Sequence, residues 1–126
     1  MKFHDSFGDF VLFLSIYMAY SDGVLHPNEE KVILEKLSKI FPHEGNPKKK
    51  FDDAVAAYHT MDKSGFNEFI HESFKHFSHV TFAQRYKIYT DMYDIVHADG
   101  KVHEAEEKAM NALKNIIDLG AHENLN

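Results

Sequence analysis

Between Phe3 and Tyr17 apolar residues recur every three or four positions (Phe3, Phe7, Phe10, Leu14, Tyr17), and Val11 and Met18 widen the stripe. That period sets one face of an α-helix against a core. A second helix is predicted from Pro27, which suits a first helical position because the N–H it lacks would have had no partner there. Its core face reads Ile33, Leu37 and Ile40, and Phe41-Pro42 stops it. His43 to Lys50 reads as loop. A third helix carries Phe51, Ala54, Val55, Tyr58 and Met61 and ends at Ser64-Gly65; the next carries Phe66, Phe69, Ile70, Phe74 and Phe77. Thr81 with Gln84 forms a capping box for a fifth, predicted to bury Phe82, Tyr86, Tyr89, Met92 and Val96. The last begins near Glu104, runs through Ala109, Met110, Leu113 and Ile117, and stops at Gly120. No segment alternates with period two long enough to be a strand. The expectation is an all-α, compact bundle of about six helices forming one domain over residues 1–126.

One segment of this pattern occurs twice. Ser21 to Lys31 and Ala98 to Lys108 share Asp, Gly, His, Glu, Glu and Lys at the same offsets, and the apolar register continues on both sides, Met18 over Ile95 and Ile33 over Met110. Each copy is a helix, an Asp-Gly turn and a second helix, which implies a pseudo-twofold repeat. Local physics accounts for the shared residues. Glycine takes the left-handed conformation that a C-terminal turn demands. Leu25 or Val102 plugs the turn into the core, His26 or His103 sits near the N-cap, and Glu29 or Glu106 at the third helical position can reach back to a free backbone N–H. These acids also lie at the positive end of a helix dipole.

The same residues can be read as half of a calcium loop, with Asp-Gly at positions five and six and a closing glutamate at twelve. Positions one and three would then be Met18 and Tyr20 in one copy and Ile95 and His97 in the other, so the first carboxylate is missing from both. A working EF-hand is not expected. A cation would need both turns to converge, so that Asp22, Glu29, Asp99 and Glu106 share one site with water or carbonyl oxygens; if the turns stay apart, each acid only caps its own helix.

The duplicated pattern resembles the TerB-like tellurite-resistance family, which also includes the N-terminal domain of a membrane-anchored J-domain co-chaperone. Its signature is an apolar helix ending in small residues and Asp-Gly, then an apolar residue, three variable residues and Glu. It is met here as Met18 to Leu25 reaching Glu29, and as Ile95 to Val102 reaching Glu106. The first copy departs from it in ending with Tyr20-Ser21. The resemblance implies an all-α fold with two acidic turns close together, a divalent, calcium-like cation on those acids, no enzymatic activity, and a setting of stress or tellurite resistance. The chain carries no J-domain, so a co-chaperone role is not transferred.

Charge and composition narrow the remaining classes. The chain has 126 residues, 44% hydrophobic and 27% charged, as in a globular domain. With no cysteine, thiolate metal sites, disulfides and cysteine nucleophiles are excluded. The net charge of −6 disfavours binding to nucleic acid. The basic run Lys48 to Lys50 reads as a solvated loop or first helical turn. No apolar stretch approaches the length of a membrane span and no signal peptide is recognisable, so a cytoplasmic location is expected. The spacing Glu68-x-x-His71, with Asp94-x-x-His97, is that of di-iron bundles, but the further glutamates such a site needs are missing, and these histidines are read as surface residues. No phosphate loop, zinc-protease motif or nucleophile elbow is present. Eleven Phe and six Tyr are a heavy aromatic load. It reads either as a Phe-rich core or as a groove for a protein partner built from Phe66, Phe69, Phe74, Phe77 and Phe82, the alternative being a metal-free interaction module.

Overall fold

Ser6 starts the first helix by accepting the Asp9 N–H on its hydroxyl oxygen at 3.1 Å, satisfying one of the donors a helix start leaves free. In the computed structural model, which describes residues 3–77, 79–98, 100 and 104–116, this helix, α1 (Phe7–Ala19), is the axis of the bundle. Phe10 through Ile16, Met18 and Ala19 are all buried, so α1 is covered all round rather than along the single predicted stripe. Its composition explains the difference: a helix apolar on every side is stable only in the interior. Ser15 is accommodated there by donating its hydroxyl to the Val11 carbonyl at 2.9 Å.

Among the described residues five helices surround it: α2 (Pro27–Ile40), α3 (Pro47–Thr60), α4 (Phe66–His76), α5 (Phe82–Val96) and α6 (Glu104–Ile116). Short 3-10 turns at Tyr20–Asp22 and Lys63–Gly65 lead into α2 and α4, and no strand occurs among the described residues. The fold is all-α, with α1 packed against α2, α3, α5 and α6. Ile117 and Gly120, the predicted end of the last helix, lie outside the described residues.

α3 ends at Thr60 and not at Ser64-Gly65, which belongs to a separate 3-10 turn, and two further expectations are corrected. The loop after α2 ends four residues earlier than predicted, because Asn46 caps α3 by accepting the Lys49 N–H at 3.1 Å and Pro47 fills its first position. The basic run is therefore a first helical turn, where Lys48 and Lys49 pair with Asp52 and Asp53, both at 2.8 Å. The second correction is the rotation of α5. Its capping box is present as predicted, but the buried residues are Ile88, Met92, Ile95 and Val96, while Tyr86 is 54% exposed and Phe82 and Tyr89 are half-buried. Lys36 of α2 donates to Asp91 at 2.9 Å and to Asp94 at 3.0 Å, holding that side of α5 toward the bundle. A tyrosine keeps its hydroxyl in water more cheaply at the rim than in the core.

The phenylalanines offered as a partner groove are packed inward. Phe13 meets Phe66 and Phe69 edge-on at 5.5 and 5.4 Å, and Phe10 meets Phe74 at 5.2 Å. Phe66 and Phe77 are buried, and Phe69, Phe74 and Phe82 are half-buried against the core. The aromatic load fixes α4 on α1. His71 is exposed, in keeping with its reading as a surface residue, whereas His97 is half-buried with its ring stacked on that of Tyr93 at 3.8 Å. No helix among the described residues is long and apolar enough to cross a membrane.

Candidate functional site

The chain leaves α1 through the 3-10 turn and reverses at Gly23, whose φ of 91° lies in the left-handed region. The Gly23 N–H closes the turn on the Tyr20 carbonyl at 2.8 Å. Gly100, the corresponding glycine of the second segment, has φ 79°. A Cβ at Gly23 would meet nothing within 4 Å, so the requirement is one of backbone conformation and not of space. Gly23→Ala is expected to cost roughly 1–2 kcal/mol in urea unfolding, the penalty of a left-handed residue bearing a side chain. An unchanged midpoint would show that the turn can relax.

Asp22 organises the turn. Its Oδ1 accepts the Val24 N–H at 3.1 Å and its Oδ2 lies 2.9 Å from His26 Nε2. Leu25, between them, packs against the core as its apolar character requires. His26 is the N-cap of α2, and its backbone N–H donates to Glu29 Oε1 at 3.0 Å, the return bond of a capping box.

Capping uses only one oxygen of Glu29. The residue is 0% exposed, and among the described residues its Oε2 has no hydrogen-bond donor. The group it faces is the carboxyl of Glu106, at the third position of α6 and also 0% exposed. Two carboxylates supply only acceptors, so they bond to each other only when one keeps a proton. Burial, followed by the Glu106 carboxyl and the charge of Asp22, pushes the Glu29 carboxyl up to about 9, against the opposing pull of the His26 N–H.

The structure thus brings Glu29 and Glu106 together, with Asp22 close enough to act on Glu29 through its charge. The packing of α6 on the Tyr20–Asp22 turn makes this possible. Asp99, the fourth predicted acid, lies outside the described residues, as do Val102 and His103. Among the described residues no three His, Asp or Glu side chains are arranged to hold a metal ion. Sequence reasoning identified the acids; the interior position of the glutamate pair had no signal in it beyond the third-position spacing.

Residues 36–125 match the family model described as tellurite resistance protein TerB, a stretch that includes Asp99 and Glu106 and begins after Asp22 and Glu29. No curated protein and no solved structure matches the chain.

Proposed function

This chain belongs to the TerB tellurite resistance family, and on that premise we propose that it is a non-enzymatic domain that takes up a divalent, calcium-like cation between its two acidic turns. One observation carries the reading: a buried glutamate pair, Glu29 against Glu106, in which Glu29 Oε2 lacks a donor among the described residues. Such a pair costs free energy unless a positive species lies between the carboxyls. A proton serves in the absence of metal, and a cation would replace it. The donors are oxygens throughout, which suits calcium or magnesium better than a softer ion. Glu29 and Glu106 would hold the ion, Asp22 and Asp99 would add charge or ligands, and water or carbonyl oxygens would complete the six to eight that calcium takes. The two turns would then act as one unit used twice, clamped by the ion, in the stress or tellurite response the family's name denotes.

Thermal unfolding in chelator and then in calcium, magnesium or manganese tests this. At a hundredfold excess over the dissociation constant the bound ion is expected to add ~2.7 kcal/mol. Asp22→Asn combined with Asp99→Asn should remove most of that gain. Indifference of the wild type to every ion would leave the acids as helix caps and make the domain metal-free.

A further inference from the structure

Away from the acidic turns, α1, α2 and α5 enclose a cleft of about 460 Å³, within the range of small-molecule sites. Its apolar lining includes Phe7, Val11, Ile40 and Ile88, and its polar lining is dominated by lysines, Lys36, Lys39 and Lys87, with Asp91. Asp91 accepts from Lys36 at 2.9 Å and from Lys87 at 2.7 Å, and Asp94 accepts from Lys36 at 3.0 Å. Lys39 forms no ion pair among the described residues. Three lysines against two aspartates leave this rim positive on a chain whose net charge is −6. An apolar floor beneath a cationic rim is complementary to an amphiphile with an anionic head.

The shape selects among such amphiphiles. The Lys36–Asp91 ion pair joins α2 to α5 within the lining itself, so the gap there is bridged by two side chains in contact. A docking helix, about 10–12 Å across with its side chains, needs a groove open along its length. A single hydrocarbon chain does not. We propose that this cleft binds a single-chain carboxylate amphiphile of the fatty-acid class, its hydrocarbon lying on Val11, Ile40 and Ile88 and its carboxylate between Lys39 and Lys87.

Decanoate, used below the concentration at which it self-associates, is the probe. Titration followed by the methyl NMR signals of the full chain should show saturable one-to-one binding, with the largest shifts at Val11, Ile40 and Ile88. Lys39→Glu with Lys87→Glu should weaken it roughly tenfold or more, as expected when charge-assisted hydrogen bonds to the head are lost. Ala83→Trp, at an exposed position of the cleft wall, should block binding while leaving the unfolding temperature near that of wild type. Decyltrimethylammonium should fail to compete. The proposal is overturned by shifts that map elsewhere, by equal binding of the cationic amphiphile, or by binding that survives the lysine reversals. It is equally overturned if decanoate does not bind, and binding of anionic phospholipid vesicles or an acidic peptide in its place would assign the lysines to a membrane or protein surface.

Discussion

Replacing Glu29 by glutamine is expected to stabilise the metal-free protein at alkaline pH and, in the same molecule, to abolish stabilisation by calcium. The two halves of this result have one cause. The Glu29 carboxyl is raised from its ordinary value of 4.5 to about 9, chiefly by burial. The folded chain therefore keeps a proton that the unfolded chain releases above about pH 4.5. Stability from this group is complete below that pH, declines as pH rises, and is gone once pH passes through the folded value near 9. The groups facing it are Glu106 from α6, Asp22 from the turn and the His26 N–H at the start of α2; the first two deepen the effect and the third opposes it. Glutamine is neutral at every pH and can donate to Glu106, so the decline attributable to this pair should flatten. At pH 9 in chelator the gain over wild type is expected to be on the order of a few kcal/mol, and near pH 4.5 close to nothing. With calcium at pH 8 the order should invert, because the wild type exchanges its proton for the ion and the variant has no charge to offer. Urea unfolding at four or five pH values, with and without calcium, decides it. Parallel pH curves for the two proteins would remove the shared proton from the account. A variant that still gains from calcium would remove Glu29 from the proposed cation site.

The parts of this site differ in how far the sequence alone makes them legible. A helix start has free N–H groups whatever the tertiary structure, so its remedies are local and visible: Pro27 with Glu29, and Thr81 with Gln84, occupy the predicted positions. The left-handed turn at Gly23 is equally local. How a helix is rotated about its own axis is not local. Tyr86 and Ile88 are both plausible core residues by composition, and only the approach of α1 and α2 to α5 makes one exposed and the other 4% exposed. The burial of α1 on every side also depends on the number of helices that collect around it. The repeated acids were legible as a pair of caps, yet the contact between Glu29 and Glu106 depends on α6 crossing the first turn, a relation between segments far apart in the chain. The lysine-rimmed cleft is of the same kind, since Lys39 and Lys87 come to line one cleft only through packing.

Phe10→Ala is expected to be the most damaging single truncation on α1, because Phe10 joins the axis of the bundle to its aromatic layer. The side chain is 0% exposed, with ring centroids of Phe74 at 5.2 Å, Phe77 at 6.0 Å, Phe7 at 6.1 Å and Phe13 at 6.4 Å. Removing it takes away the transfer free energy of the ring and leaves a cavity whose walls are other rings, which cannot collapse without leaving their own contacts. Substitutions of this kind cost about 3–5 kcal/mol, a large share of the roughly 5–15 kcal/mol that holds a domain folded. The variant should unfold at much lower urea. Tyr86→Ala, on the exposed side of α5, should stay within about 0.5 kcal/mol of wild type. Phe10→Leu, which keeps most of the volume, should fall between them and keep the comparison quantitative if the alanine variant does not fold. A loss below about 1 kcal/mol for Phe10→Ala would mean that α4 is not seated on α1 through this ring. The aromatic excess would then need a role outside the core, and the partner-groove reading of the phenylalanines would regain its ground.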